Sequence, residues 1–456
     1  MNRPPNLFAT ANLSGCSLKS AQATVALSGL TNGTCLGASA ETLLGRTVLL
    51  WTTDHLHCAL ALIELDGIVR RMVLCPPGIP LEGLAYIAET AGADTIISDL
   101  ASPEQAIPGV ERWIECSSTL TSALPGGDRP RATEWVLLTS GTTGVPKLVV
   151  HTLASLAGAI KSRLAPSSSP VVWSTFYDIR RYGGLQIFLR ALLTGSSLVL
   201  TSPHEAINDF LIRAGKARVT HISGTPSHWR SALRSPSAHS MAPRYVRLSG
   251  EIADQSILNH LRSCYPEATI VHAFASTEAG VAFEVTDGLS GFPSSLVGSI
   301  PDVDVKIEDG SLNLRSSRVA DCYLNGQAKP IKSADGFVDT GDLVELRGDR
   351  YHFIGRRDGV INIGGLKVHP EEVEAVINRH PEVFMSLVRT KRNPITGAIV
   401  VADVVLKSSP ADPQRLQRDL IGFCRDSLAG HKVPAVIKFV PELAISETGK
   451  LVRHEA

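Results

Sequence analysis

Two glycines, four hydroxyl residues and one lysine fall within nine positions in Thr139-Ser140-Gly141-Thr142-Thr143-Gly144-Val145-Pro146-Lys147. Glycine lets backbone N–H groups approach an anion closely, hydroxyls add donors, and lysine adds a charge. Together these groups suit a polyphosphate. The string is not a Walker loop, because no Gly-Lys-Ser/Thr ends it. An ordinary Ser/Gly-rich turn would need neither the lysine nor four hydroxyls. The loop directly follows the apolar run Trp135-Val136-Leu137-Leu138, which reads as a buried strand, and the segment from His151 onward reads as a helix.

The elements that must position this loop alternate along the chain. Positions 47–51, 71–74 and 95–98 read as strands, with helices at 54–65 and 81–91 between them. Residues 117–131 are rich in Ser, Thr, Pro and Gly and read as a connecting loop. After the loop at 139, the runs 171–174, 197–200, 219–222, 245–248 and 269–272 read as further strands with helices between. Strands alternating with helices of this length imply βαβ units and parallel sheets. In such sheets ligands bind beyond the carboxyl ends of strands, and Thr139, Ser249 and Ala273 all follow expected strand ends. From 298 to 350 the pattern changes to short strands and turns. The last hundred residues read as a separate α+β unit, with helices at 373–378 and 414–428 and strands at 384–389, 399–405 and 435–440.

Bulk composition narrows the function classes. At 456 residues the chain is long enough for two or more domains. Lys+Arg and Asp+Glu both number 44, so charge provides no argument for a nucleic acid or an anionic membrane surface. The eight cysteines include no Cys-x-x-Cys pair and read as reduced thiols of a cytoplasmic protein. No run of 18 apolar residues suggests a membrane span, and the first residues lack the apolar core of a signal peptide.

Four further blocks follow the loop in order: Ala275-Ser276-Thr277-Glu278, Asp339-Thr340-Gly341-Asp342-Leu343, Gly355-Arg356-Arg357-Asp358 and Glu447-Thr448-Gly449-Lys450. With them the chain resembles the adenylate-forming superfamily of acyl-CoA synthetases, adenylation domains and luciferases. Five ordered blocks are far more specific than one motif. Before residue 130 the resemblance is architectural only. In length and motif style the chain is similar to the compact acyl- and aryl-CoA ligases.

The resemblance implies an α/β fold: a large N-terminal domain of doubly wound sheets plus a small β-rich region, then a small α+β C-terminal domain. It implies an ATP- and acid-binding domain over 1–357 and a mobile domain over 358–456 that carries the catalytic lysine. The implied reaction is attack of a carboxylate on the α-phosphate of ATP, followed by displacement of AMP by a thiol. Both steps develop negative charge that preorganised donors and cations must hold.

By the same resemblance, Thr139, Ser140, Gly141, Thr142, Thr143, Gly144 and Lys147 wrap the ATP phosphates. Glu278 holds Mg²⁺, which needs only one or two carboxylates when phosphates supply the rest. Ser276 and Thr277 lie beside it, Thr277 donating to the α-phosphate. Asp342 accepts the ribose hydroxyls, Arg356 adds a donor, and Gly250 and Glu251 belong to the adenine-side loop. Phe274 stacks on adenine, although relatives often have a Tyr-Gly pair in this region. Lys450 is the catalytic lysine between the carboxylate and the α-phosphate. In isolation it would read as a solvated tail residue. Asp358 is the hinge, and Gly364 and Gly365 line the thiol tunnel in Gly364-Gly365-Leu366-Lys367-Val368-His369-Pro370-Glu371-Glu372-Val373-Glu374. No general base is required, since a carboxylic acid is already ionised at neutral pH.

The acid pocket is expected from Phe176, Arg181, Gly184, Ser249, His272 and Ala273. The segment Asp178-Ile179-Arg180-Arg181-Tyr182 is unusual, since compact aryl ligases often carry histidine near Asp178. Its two arginines could pair with a second anionic group on the substrate, or point to solvent. His151 reads as a packing residue at a helix start. The expected co-substrates are ATP, Mg²⁺, a small carboxylic acid and coenzyme A. The alternatives are an enzyme loading an acyl carrier protein, or an inactive nucleotide-binding relative. Which acid is used stays open, as does the oligomeric state, a homodimer being among the options.

Overall fold

Two stacked sheets carry the N-terminal three-fifths of the chain. The computed structural model describes residues 6–11, 13–37, 40–123, 129, 131–139, 146–160, 170–324, 330–393, 397–446 and 449–452. The seven-stranded sheet has five parallel strands at its centre: Arg112–Ser122, Thr95–Ser98, Thr47–Trp51, Arg71–Cys75 and Glu134–Thr139, flanked by the antiparallel edges Gly33–Leu36 and Lys147–Thr152. The eight-stranded sheet has six parallel strands, Thr269–Ser276, Tyr245–Ser249, His221–Gly224, Val172–Thr175, Ser197–Val199 and Ser17–Lys19, with antiparallel edges Gly280–Val285 and Thr24–Ala26.

Helices His55–Leu65 and Tyr182–Leu193 share one buried core with both sheets. The sequence explains this position. His-Leu-His-Cys-Ala-Leu-Ala-Leu-Ile-Glu-Leu is apolar on nearly all sides, and a helix of that kind must be covered all round. Asp54 starts it by accepting from Leu56 N at 2.6 Å. The one buried acid, Glu64, accepts from Thr34 Oγ1 and Cys35 N, both at 2.6 Å, as a buried charge requires. Helices Ile207–Lys216, Pro226–Arg234 and Gln255–Cys264 cover the outer face of the eight-stranded sheet, and Leu81–Ala91 covers that of the other.

A six-stranded antiparallel sheet from Phe292–Pro293 to Arg350–Arg356 follows. A final unit packs Pro370–Ile377 and Pro413–Arg425 on strands Val383–Asn393, Gly397–Leu406 and Val436–Phe439, around its own core of Val373, Val388, Val404 and Leu420. The short turn Arg357–Gly359 lies between these two parts.

Three local expectations are corrected. His151 lies in the strand Lys147–Thr152, not at a helix start, and the helix begins at Leu153. Leu148-Val149-Val150 is a short apolar run that period alone does not assign; pairing with Glu134–Thr139 decides it. The strand Arg112–Ser122 extends into the expected 117–131 loop, because Thr121 and Ser122 pair with Thr34 and Gly33. Ala273 does not follow a strand end: Thr269–Ser276 continues past it, paired with Gly280–Val285.

Candidate active site

The carboxyl ends of the parallel strands open into a cleft of about 770 Å³ bounded by the N-terminal sheets, the antiparallel sheet and the final unit. Thr139, Lys147, Gly250, Glu251, Phe274, Ser276, Thr277, Glu278, Asp342, Arg356, Asp358 and Lys450 all line it. Five blocks separated by up to three hundred residues therefore share one space.

At the phosphate side, Thr139 and Lys147 form the last pair of the hairpin between Glu134–Thr139 and Lys147–Thr152. Ser140, Gly141, Thr142, Thr143 and Gly144 lie outside the described residues. Among the described residues, Thr139 Oγ1 is buried with no hydrogen-bond partner, a donor available to a ligand oxygen. Thr277 and Glu278 occupy the turn between Thr269–Ser276 and Gly280–Val285. His151 pins that turn: its Nε2 donates to Thr277 O at 2.7 Å. Burial brings its pKa down to about 4, so the ring is neutral and structural, in keeping with a packing role. Glu278 Oε1 accepts from Tyr323 OH at 3.2 Å. The unpaired Thr139 hydroxyl, the Lys147 ammonium and the Glu278 carboxylate form a donor set that fits a magnesium-bound polyphosphate.

At the ribose side, Asp342 and Arg356 are direct cross-strand partners, with Arg356 Nη1 3.8 Å from Asp342 Oδ1. Burial raises the Asp342 pKa, opposed by Arg356, the Thr340 side chain and the Lys450 charge. Arg356 Nε also bonds Asp358 Oδ1 at 3.1 Å. Phe274 lies nearly parallel to Phe353, with ring centroids 5.2 Å apart. Gly250 has φ +86°, and a Cβ there would stand 3.8 Å from Lys450 Cε, which locates the lysine beside the adenine-side loop. The carboxylate of Glu251 is engaged elsewhere, with Ser227 and Leu451 N. Only its backbone is left for the adenine role expected of it.

Of the residues expected to contact the acid, two give way to a neighbour in lining the cleft. Tyr177 lines the cleft, whereas Phe176 turns into the outer core and stacks on His228 at 5.7 Å. Gly183 lines it, whereas Gly184 packs against the Asp178 backbone, where a side chain would collide. Arg181 lines it, whereas Arg180 is buried, bonds Asp178 Oδ1 at 2.7 Å and donates to Thr52 O. Ser249, His272 and Ala273 also line the cleft. His272 Nε2 donates to Leu289 O at 2.9 Å. Gly364 and Gly365 have positive φ, and a Cβ at either would meet nothing. They are absent from the cleft lining.

Sequence reasoning missed Tyr323, which no local pattern marks, and His228, whose signal was the capping box begun by Thr225-Pro226. Among the described residues no helix is long and apolar enough to cross a membrane.

Comparison with known proteins places this geometry. The family model described as "AMP-binding enzyme" matches residues 46–319, and "AMP-binding enzyme C-terminal domain" matches 372–450, ending on the lysine. The chain is 28% identical over 333 residues to a 2-succinylbenzoate–CoA ligase of Listeria monocytogenes, covering 70% of this chain and 68% of that one. It is 26% identical over 399 residues to the mitochondrial acyl-coenzyme A synthetase ACSM5 of Mus musculus, covering 81% and 68%. It is also 27% identical to CymA, a probable non-canonical nonribosomal peptide synthetase of Salinispora arenicola, but spans 5% of that protein's length. In fold it is similar to the anthranilate CoA ligase AuaEII (TM-score 0.80, 18% identity, 99% and 96% coverage). A benzoate CoA ligase from Burkholderia xenovorans LB400 is similar too (TM-score 0.79, 19% identity, 98% and 99% coverage).

Proposed function

Because this chain belongs to the AMP-binding enzyme family, we propose that it activates a small carboxylic acid with ATP and transfers the acyl group to coenzyme A. The observation that carries the reading is Lys450. The C-terminal unit delivers it across the cleft to Gly250, in the same space as Asp342, Glu278 and Thr139. A solvated tail lysine has no reason to lie there.

In the first step a carboxylate oxygen of the acid attacks the α-phosphorus and pyrophosphate leaves. Lys450 stands between the two anions and offsets their repulsion. Lys147 and the Thr139 hydroxyl hold the departing phosphates. Glu278 would hold a magnesium ion, which supplies positive charge on the phosphate oxygens. Asp342 and Arg356 orient the ribose. In the second step the thiol sulfur attacks the acyl carbonyl carbon, loses its proton, and AMP leaves. We assign Asp358 as the pivot that withdraws Lys450 and turns Gly364 and Gly365 towards the pantetheine arm, where side chains would clash.

The walls support a small acid rather than a long-chain one. Tyr177, Tyr182, Phe274 and Phe283 are flat and aromatic. The strand face that carries Ser249 continues to Arg247, whose side chain is 3% exposed and ion-paired with Glu284 at 3.1 Å. An alkyl chain running down that face would meet a desolvated guanidinium.

The test is acid-dependent exchange of labelled pyrophosphate into ATP across aryl, fatty and dicarboxylic acids, with Lys450→Ala as control. Exchange with an aryl or short acid, lost in the variant, is expected; thioester formation is then compared with coenzyme A and with a phosphopantetheinylated carrier protein. Exchange with no acid at all would overturn adenylation, and a response to the carrier alone would overturn the choice of thiol.

A further inference from the structure

We infer that Thr225 and Glu251 are positioning residues that clamp the backbone on both sides of Lys450 for the first half-reaction. The inference rests on the adenylation reading above and adds two residues to it.

The contacts bracket a single residue. Gly449 O accepts from Thr225 Oγ1 at 2.5 Å, and Leu451 N donates to Glu251 Oε1 at 3.1 Å. Both gripping side chains are anchored at the start of helix Pro226–Arg234. Thr225 is its N-cap and accepts from His228 N at 3.0 Å. Glu251 accepts from Ser227 N at 2.9 Å and from Ser227 Oγ at 3.0 Å. That helix packs on the eight-stranded sheet through Trp229, which is fully buried, so the anchor is part of the rigid core.

The loop is shaped to lie on this anchor. Gly449 has φ +75°, and a Cβ there would collide with the His228 imidazole. The loop closes on itself through Gly449 N to Ser446 O and Ser446 N to Lys450 O, both at 2.8 Å. With its backbone held before and after, Lys450 keeps only its side-chain rotamers. A charge that must act at the α-phosphate loses little freedom when its base is fixed in this way. Both contacts join the N-terminal part to the C-terminal unit, so they cannot survive a rotation that withdraws Lys450. They serve one half-reaction and not the other.

The experiment compares Glu251→Ala with Glu251→Gln, and Thr225→Val with Thr225→Ser, in the full chain. Pyrophosphate exchange, thioester formation from a supplied acyl-adenylate, and amide hydrogen exchange over 444–452 are measured for each. Glu251→Ala and Thr225→Val should lower the kcat of exchange by about ten- to a hundredfold, the range for a displaced catalytic group, with a much smaller change in KM for ATP. The thioester step should fall far less, and the Leu451 amide should exchange faster in Glu251→Ala. Thr225→Ser, which keeps the hydroxyl, should recover most of the loss, and Glu251→Gln, which keeps one of the two acceptor oxygens in use, should recover part of it.

A raised KM for ATP with kcat retained would overturn the clamp in favour of a nucleotide contact. Equal loss in both half-reactions would make the pair merely structural, and unaltered exchange kinetics would remove it. Should the wild-type protein exchange pyrophosphate with no acid, adenylation fails. The amide-exchange comparison still decides the clamp, since unchanged protection of Leu451 in Glu251→Ala overturns it.

Discussion

Tyr323 donates its phenolic proton to Glu278 Oε1 at 3.2 Å, and its ring lies 5.4 Å from the Lys147 ammonium. One side chain thus touches both charged groups assigned to the phosphates. Its position follows from an isolated bridge between Tyr323 and Val149, so the strand that starts with Lys147 also places the tyrosine. Burial and the Glu278 charge push the phenol well above its usual range, which keeps it a donor.

Tyr323→Phe keeps the ring and removes that donor. A hydrogen bond to a charged group contributes about 1.5–3 kcal/mol, so KM for MgATP should rise roughly tenfold or more with kcat little changed. Tyr323→Leu should lose a further ~0.5–1 kcal/mol from the cation–π contact. Initial rates at varied magnesium check both, and an unchanged KM in the two variants would remove Tyr323 from the site.

The neighbouring arginines should separate cleanly. Arg180→Leu strands Asp178, a buried carboxylate also 3.4 Å from His55, and should destabilise the fold by about 3–5 kcal/mol. Arg181 lines the cleft, and Arg181→Leu should lower the urea midpoint less than Arg180→Leu does. It should raise KM for an acid bearing a second anionic group while KM for ATP stays. An unchanged acid KM would show that Arg181 does not read the substrate.

Gly449→Ala combines an unfavourable φ with a collision against His228. Pyrophosphate exchange should fall more than about tenfold, as expected when a catalytic group is moved by an ångström. The melting temperature should barely change, because residue 449 lies in a terminal loop outside every buried core cluster. A variant with full exchange would mean that the loop does not rest on His228 during reaction.

Stability should rise with pH through the weakly acidic range. Burial lowers the His151 pKa to about 4, and those of His221 and His228 likewise. Between that value and the unfolded value near ~6.5 the unfolded chain binds more protons, so stability grows as pH rises and is lost as it falls. For the fully buried His151 the displacement is worth about 3 kcal/mol. Asp66 opposes: burial lifts its pKa to about 6, so its contribution fades as pH rises from about 4 to 6. Asp342, also raised by burial, opposes in the same sense; the three histidines outweigh the two carboxyls, and urea midpoints between pH ~4 and ~6.5 should increase. A flat or falling profile would contradict the burial of these rings.

Much of the fold was legible locally. The strands Thr47–Trp51, Arg71–Cys75 and Thr95–Ser98 and the helices His55–Leu65 and Leu81–Ala91 stand where apolar runs and helical periods put them, to within a residue. Residue type marked Thr139 and Lys147, and the ordered resemblance marked Glu278, Asp342, Arg356 and Lys450; all six line one cleft. Hydrophobic period is a short-range property, and the functional blocks are short strings that can be matched to a family in their order along the chain.

What only the tertiary structure decided is which neighbour faces the cleft and which distant groups meet. Tyr177 stands there in place of Phe176, Gly183 in place of Gly184, and Arg181 without Arg180, since successive residues of a loop or a helix point in different directions. Lys147–Thr152 became a strand through its pairing with Glu134–Thr139. Tyr323 met Glu278, and Thr225 and Glu251 met the Lys450 loop, across intervals of 45, 224 and 200 residues. Facing depends on register and long-range contact on how finished elements dock. Both are set by the packing of the whole chain, and no local window of the sequence contains them.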